Sequence, residues 1–231
     1  MPVPTSSAAL HSASSRQAVV GGAQSVPAGH QMTGPFEMMG APMRFGRNEE
    51  IYGEDEPSDF VYKVISGTVR TSKILADGRR QIGAFYHPGD VFGLEVGEEH
   101  AFSAEAIAAS EVLVVRRGAL MSLAARDSNV AGELWTLIGR ELARVQQHVL
   151  LLVKTAQERV VGFLLEMAER ARGGNEVELP MSRQDIADYL GLTIETVSRT
   201  LTQLATKAAI EVPTSRRIVL RNRAALARLN G

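Results

Sequence analysis

Residues 182–204 read SRQDIADYLGLTIETVSRTLTQL, and this stretch decides the fold. Ser182 is a helix N-cap, and Asp185 three positions on completes a capping-box-like pair with negative charge in the first turn. Ile186, Ala187 and Leu190 supply one apolar side. Gly191 then breaks the helix where a positive φ is cheapest. Leu192 is apolar inside the turn, and Thr193 caps a second helix starting near Ile194. There Val197, Leu201 and Leu204 recur at helical spacing as a buried face, with Glu195, Ser198, Arg199 and Thr202 nearly opposite. Two short helices around a three-residue turn with glycine are the signature of a helix-turn-helix.

The polar stripe suits base edges in a major groove. Arg199 can donate a bidentate pair to guanine, Glu195 can accept from cytosine N4, and Ser198 can bond either way. All lie in the first two turns, the part of such a helix that enters the groove. A solvated face with one Glu–Arg pair carries similar residues; the caps, the glycine and a wing downstream favour DNA reading. That wing has Ile210–Val212 as a strand, Pro213-Thr214-Ser215 as the turn and Arg216–Leu220 as the return strand. Arg216 and Arg217 near its tip are placed for phosphate, as are Ser182, Arg183, Thr193, Thr196 and Thr202 on the two helices. Asn222 caps a last helix whose Ala225, Leu226 and Leu229 pack back on the domain.

Net charge over the 231 residues is −1. From Ser182 onward, however, eight basic residues stand against four acidic ones, so a basic module sits on an acidic body. The absence of cysteine rules out disulfides, thiolate zinc sites and cysteine-ligated iron–sulfur clusters within the chain. No apolar run approaches 18 residues, and the first 35 residues lack the compact apolar stretch of a signal peptide. No membrane partner and a cytoplasmic protein are the default expectations.

Residues 1–35, small and unpatterned, read as a disordered tail. From about Pro42 to Val115 short β-rich runs alternate with turn signals. The runs are Phe60–Ile65, Thr68–Leu75, Arg80–Tyr86, Phe102–Ala108 and Glu111–Val115, with Asp77-Gly78 a strong hairpin signal. They predict a small barrel or jelly-roll-like sandwich over 36–127. Glu98-Glu99-His100 reads as a solvated loop. A long helix over 128–153, capped by Ser128 or Asn129, carries Trp135, Ile138, Leu142, Val145, Val149 and Leu152 in coiled-coil steps. Leu134, Leu137, Leu150 and Leu151 form a second apolar side for the barrel, so the first seam is free for a second copy of the chain. A further helix, Thr155–Arg172, stops at Gly173-Gly174, and residues 154–231 form the DNA-binding domain.

This order of barrel, long helix and winged helix-turn-helix resembles the CRP/FNR family of bacterial transcription regulators over nearly everything from residue 40 onward. IETVSR at 194–199 matches the Glu-x-x-Ser-Arg reading motif of its FNR-like side, and 178–199 looks closest to FixK-type members. HPGDVFG at 87–93, Gly67 and Gly78 match the family's β-roll. The resemblance implies an α+β fold, with an N-terminal double-stranded β-helix or jelly-roll like that of cyclic-nucleotide-binding domains. It implies a homodimer that reads a TTGA-type inverted repeat in double-stranded DNA through Glu195, Ser198 and Arg199 and recruits RNA polymerase as an activator. Ile194 would touch a thymine methyl, and the control would be of microaerobic or nitrogen-fixation type. The family's cyclic-AMP site needs a Gly-Glu pair and a later Arg-Ser pair over the phosphate. Here Gly93-Leu94-Glu95 is displaced and Ala101-Phe102-Ser103 lacks the arginine. A haem ligand would have to be His87, the one barrel histidine in play, and a turn histidine is more often just exposed. No cofactor or metal is expected, and no enzyme motif is present. The alternative is a small-molecule-gated regulator of the same fold.

Overall fold

A computed structural model describes residues 34–171 and 174–230. Of the tail expected over 1–35, residues up to Thr33 lie outside them, as do Arg172 and Gly173 of the expected helix end; Pro35, at the end of that tail, is instead buried at the start of a helix. The chain opens with α1 (Pro35–Met39), β1 (Ala41–Phe45), β2 (Glu50–Tyr52), β3 (Phe60–Ser66), β4 (Val69–Ile74), β5 (Arg80–Tyr86), β6 (Val91–Phe92), β7 (Ser103–Ala106) and β8 (Ser110–Arg116). These strands form two four-stranded antiparallel sheets, in orders β1-β8-β3-β6 and β2-β7-β4-β5. The architecture is the expected β-roll in an α+β chain. The two sheets enclose Tyr52, Tyr62, Val64, Val69, Phe92 and Val112.

His100 corrects the reading of residues 98–100 as a solvated loop. It is 1% exposed and stacks on Tyr52 with ring centroids 3.6 Å apart. Its backbone is pinned by Asp55 N–H to its carbonyl and by its own N–H to Glu56 O, both at 2.9 Å. The two glutamates before it are exposed, while the backbone turns the His100 side chain inward against Tyr52. His87 is also not simply exposed. It is half-buried, and its Nε2 is enclosed without a hydrogen-bond partner.

β5 holds a second departure from simple alternation. Thr71 pairs with Ala84 and Ser72 with Ile82, so Gly83 is an extra residue, a β-bulge. A Cβ at Gly83 would lie 3.1 Å from Phe102 Cε1, which makes a side chain here tight. The phase slip lets Ala84 and Tyr86 join the roll interior while Ile82 and Phe85 join a different core.

After the roll come α2 (Arg117–Ala124), α3 (Ser128–Leu152) and α4 (Ala156–Arg170). α3 is capped by Asp127, whose carboxylate accepts from Asn129 N–H at 2.8 Å, rather than by Ser128 or Asn129. One side of α3 lies on the roll. Val130 and Leu134 pack with Phe36, Val61, Val91, Val115 and Leu120. Further along, Arg144 stacks over the Tyr86 ring at 4.3 Å and donates to its hydroxyl at 2.8 Å. Leu150, assigned to this side by its spacing, is exposed instead. α4 starts at a full capping box of Thr155 and Glu158.

The rest is β9 (Glu176–Glu178), α5 (Arg183–Leu190), α6 (Ile194–Thr206), β10 (Ile210–Thr214), β11 (Arg217–Leu220) and α7 (Arg223–Leu229). Its core unites Val161, Phe163 and Leu164 of α4 with Ile186, Leu190, Val197, Leu201 and Leu204, and it includes Ile82 and Phe85 from the roll. The Phe85 ring lies 5.2 Å from that of Tyr189 and 6.4 Å from that of Phe163. The wing is a three-stranded sheet in the order β10-β11-β9.

Candidate nucleic-acid interface

α5 begins at a complete capping box. The Ser182 hydroxyl accepts from Asp185 N–H at 3.0 Å, and Asp185 Oδ2 accepts from Ser182 N–H at 2.9 Å. Such a cap satisfies two helix-end donors reciprocally. The helix ends at Gly191, whose φ of 61° is left-handed. α6 then starts at Thr193, whose hydroxyl accepts from Thr196 N–H at 3.3 Å. The outside support of this turn has no signal in the local sequence. Arg159 of α4 donates to Leu190 O at 2.9 Å and Gly191 O at 3.4 Å, and its Nε donates to Lys154 O at 2.9 Å. One guanidinium thus satisfies carbonyls left over at the end of α5 and ties the turn to the α3–α4 junction.

α6 buries Val197, Thr200, Leu201 and Leu204. Each fully covered aliphatic side chain contributes about 1.5–3 kcal/mol, which fixes the rotation of the helix on its domain. Glu195, Ser198, Arg199 and Thr202 are left exposed together, and Ile194 is exposed at the helix start. The Glu195 carboxyl is held below the usual carboxylate range by its own backbone N–H, the Thr193 hydroxyl and the Arg199 cation. It is therefore an acceptor at neutral pH. The Thr202 hydroxyl is engaged inside the helix, donating to Ser198 O at 3.0 Å.

The remaining phosphate candidates divide. Ser182 and Thr193 are exposed and Thr196 is half-buried. Arg183 is half-buried, and burial lowers its pKa and leaves Nη1 enclosed without a hydrogen-bond partner. The wing turn is Ser215-Arg216 rather than Pro213-Thr214-Ser215, because β10 runs on through Thr214. Arg216 sits in the turn. Arg217 belongs to β11, and its Nη2 donates to Glu176 Oε2 at 2.7 Å on the neighbouring strand β9.

Along α3, Trp135, Ile138, Leu142, Val145 and Val149 are all exposed, Trp135 by 79%. Leu152, placed in the same seam by its spacing, is half-buried, and its Cδ2 would lie 3.6 Å from a Cβ at Gly191. It packs toward the helix-turn-helix. Among the described residues no cluster of His, Cys, Asp and Glu has the makings of a metal site, and no helix is long and apolar enough to cross a membrane.

A β-roll, a long helix and a winged helix-turn-helix with an exposed polar stripe define a DNA-binding transcription regulator. Residues 42–127 match the sequence family described as the cyclic nucleotide-binding domain, and residues 158–229 match the Crp-like helix-turn-helix domain. The nitrogen fixation regulation protein FixK of Azorhizobium caulinodans is 53% identical over 198 residues, covering 83% of this chain and 80% of that one. FixK of Rhizobium meliloti is 41% identical, covering 80% and 86%. The solved structure of FixK2 from Bradyrhizobium japonicum superposes with a TM-score of 0.80 at 50% identity, over 84% of this chain and 98% of that one. The chain belongs to the CRP/FNR family of transcription regulators, on its FixK-like side.

Proposed function

We propose that the chain acts in the cytoplasm as a homodimeric activator that reads a TTGA-type inverted repeat, recruits RNA polymerase and serves microaerobic or nitrogen-fixation-type control, as the names of its relatives suggest. One observation carries the reading. A helix capped at its start and locked by a buried apolar face presents Glu195, Ser198 and Arg199 side by side to solvent. In this reading those three side chains and Ile194 meet base edges. Ser182, Thr193, Thr196 and Arg216 set the register on phosphate, with lesser parts for Arg183, Thr202 and Arg217. The exposed row from Trp135 to Val149 joins two copies, so that two reading helices meet half-sites one duplex turn apart.

The test is selection of bound duplexes from a random pool at fixed salt with no ligand added. A palindrome carrying TTGA is the expected product, and enrichment of no sequence would overturn the reading.

A second reading, a regulator gated by a small molecule, draws on a mostly apolar cavity of about 590 Å³ between roll and α3, lined by Ile82, Phe92, Leu94, Phe102, Val145 and Val149. Phe102 stands before Ser103, where the resemblance implies an arginine for a phosphate, and the Arg144 of the lining is already paired with Glu141, so the cavity suits an apolar ligand better than an anion. A ligand-dependent change in duplex affinity is the discriminating result.

A further inference from the structure

The boundary between roll and reading head is crossed by a chain of alternating charge. Asp185, 4% exposed, is shared between two tasks. Its Oδ2 closes the cap of α5, accepting from Ser182 N–H and Oγ–H at 2.9 and 2.8 Å. Its Oδ1 accepts from Arg70 Nη1 on β4 and from Arg80 Nη2 on β5, both at 2.7 Å. Arg80 Nε reaches on to Asp188 Oδ2 at 2.7 Å, one turn further along α5. Arg70 Nη2 is held from behind by Glu105 Oε2 on β7, also at 2.7 Å.

Arg70 is only 8% exposed. Burying a guanidinium is costly unless it is paired, and the apolar contacts of Ile82 and Phe85 already join the two parts. Apolar contacts tolerate sliding, whereas charge-assisted hydrogen bonds fix direction. The surplus of directional bonds therefore serves orientation. It does not hide the reading surface, because the clamp grips α5 and leaves Glu195, Ser198 and Arg199 exposed.

We propose that Arg70 and Arg80 are positioning residues for DNA recognition: gripping Asp185 and Asp188, they fix the rotation of the helix-turn-helix on the roll, so that the head stands ready for a two-half-site duplex with no effector bound. The proposal rests on the readings of α6 as the base-reading helix and of α3 as the seam that joins two copies. A head free to rotate still meets one half-site. It loses the simultaneous fit to two, because only a fraction of molecules has both heads in register.

The experiment uses the full chain and two duplexes, one with both TTGA-bearing half-sites and one with a single half-site and the other scrambled. The variants are Arg80→Met, which removes the charge at a partly exposed position, and Arg80→Lys, which keeps it. Since the chain has no cysteine, Asp77→Cys and Gln203→Cys at exposed positions report the roll-to-head distance by spin labelling. Arg80→Met should bind the two-site duplex about tenfold more weakly, within the usual range of coupling between sites, and the single-site duplex unchanged. Its distance distribution should broaden, and Arg80→Lys should recover most of both. Unchanged or tighter two-site binding overturns the proposal, as does an equal loss on both duplexes. If the unmutated chain ignores base order, the reading of α6 fails instead, and the distance measurement still decides the clamp.

Discussion

Leu142→Ala probes the proposed seam with a magnitude the structure supplies. Leu142 is 57% exposed on α3. Full burial of a leucine contributes about 1.5–3 kcal/mol, so covering the exposed part is worth about 1–1.5 kcal/mol. In a two-fold interface the substitution occurs twice, and the retained Cβ keeps part of the contact. The dimer should lose about 2 kcal/mol, or roughly thirtyfold in dissociation constant. The fold of each copy should not suffer, because the side chain stands outside the three cores and alanine is the better helix former. Sedimentation over a dilution series reads the dimer constant, and circular dichroism of the diluted protein reads the fold. An unchanged dimer constant, or a fold weakened as much as the dimer, refutes the seam.

Arg199→Ala should cost about 1–3 kcal/mol on a matched duplex and relax the preference at one guanine; equal weakening on matched and scrambled duplexes would defeat its assignment. Arg216→Ala should flatten the salt dependence of binding by about one unit, the signature of one lost phosphate contact. Arg217→Ala should flatten it less, because Glu176 already neutralises that cation, and titrations across several salt concentrations separate the two. Burial, aided by the nearby Arg170 and opposed by Asp90, pushes the His87 imidazole down to about 4. Between pH 6.5 and 4 the unfolded chain therefore takes up a proton that the folded chain refuses. Stability should fall on acidification through that window by up to about 3 kcal/mol. His87→Gln should flatten the urea midpoint against pH there, and an unchanged slope would rule the histidine out.

Local chemistry is legible in the sequence and through-space chemistry is not. Ser182, Asp185, Gly191, Thr193 and Asn222 are caps and stops written in neighbouring residues, and each acts as such in the structure. β5 begins and ends where its pattern and flanking turns predict. β1 and β2 escape the pattern, since β1 is an edge strand with four exposed residues and shows no alternation. The wing turn is misplaced by sequence because Pro213 looks like a turn residue but is tolerated in an exposed edge strand. Nothing around Asp185 reveals that arginines 105 and 115 positions earlier share its carboxylate. The acidic neighbours of His100 suggest solvent, and the aromatic ring that covers it lies far away in the chain. Leu150 fits the spacing of a buried position, yet it falls where neither roll nor head covers it.

The extra residue at Gly83 has a consequence for swapping parts between relatives. Because one strand furnishes wall for two separate interiors, the roll and the reading head are not interchangeable cassettes cut at the α3–α4 junction. A chimera joining this roll to another family member's head takes Ile82 and Phe85 away from Val161, Phe163 and Leu164, the α4 side chains they pack with here. Grafts that transplant β5 together with the head, or that refit those two positions, should be the ones that assemble.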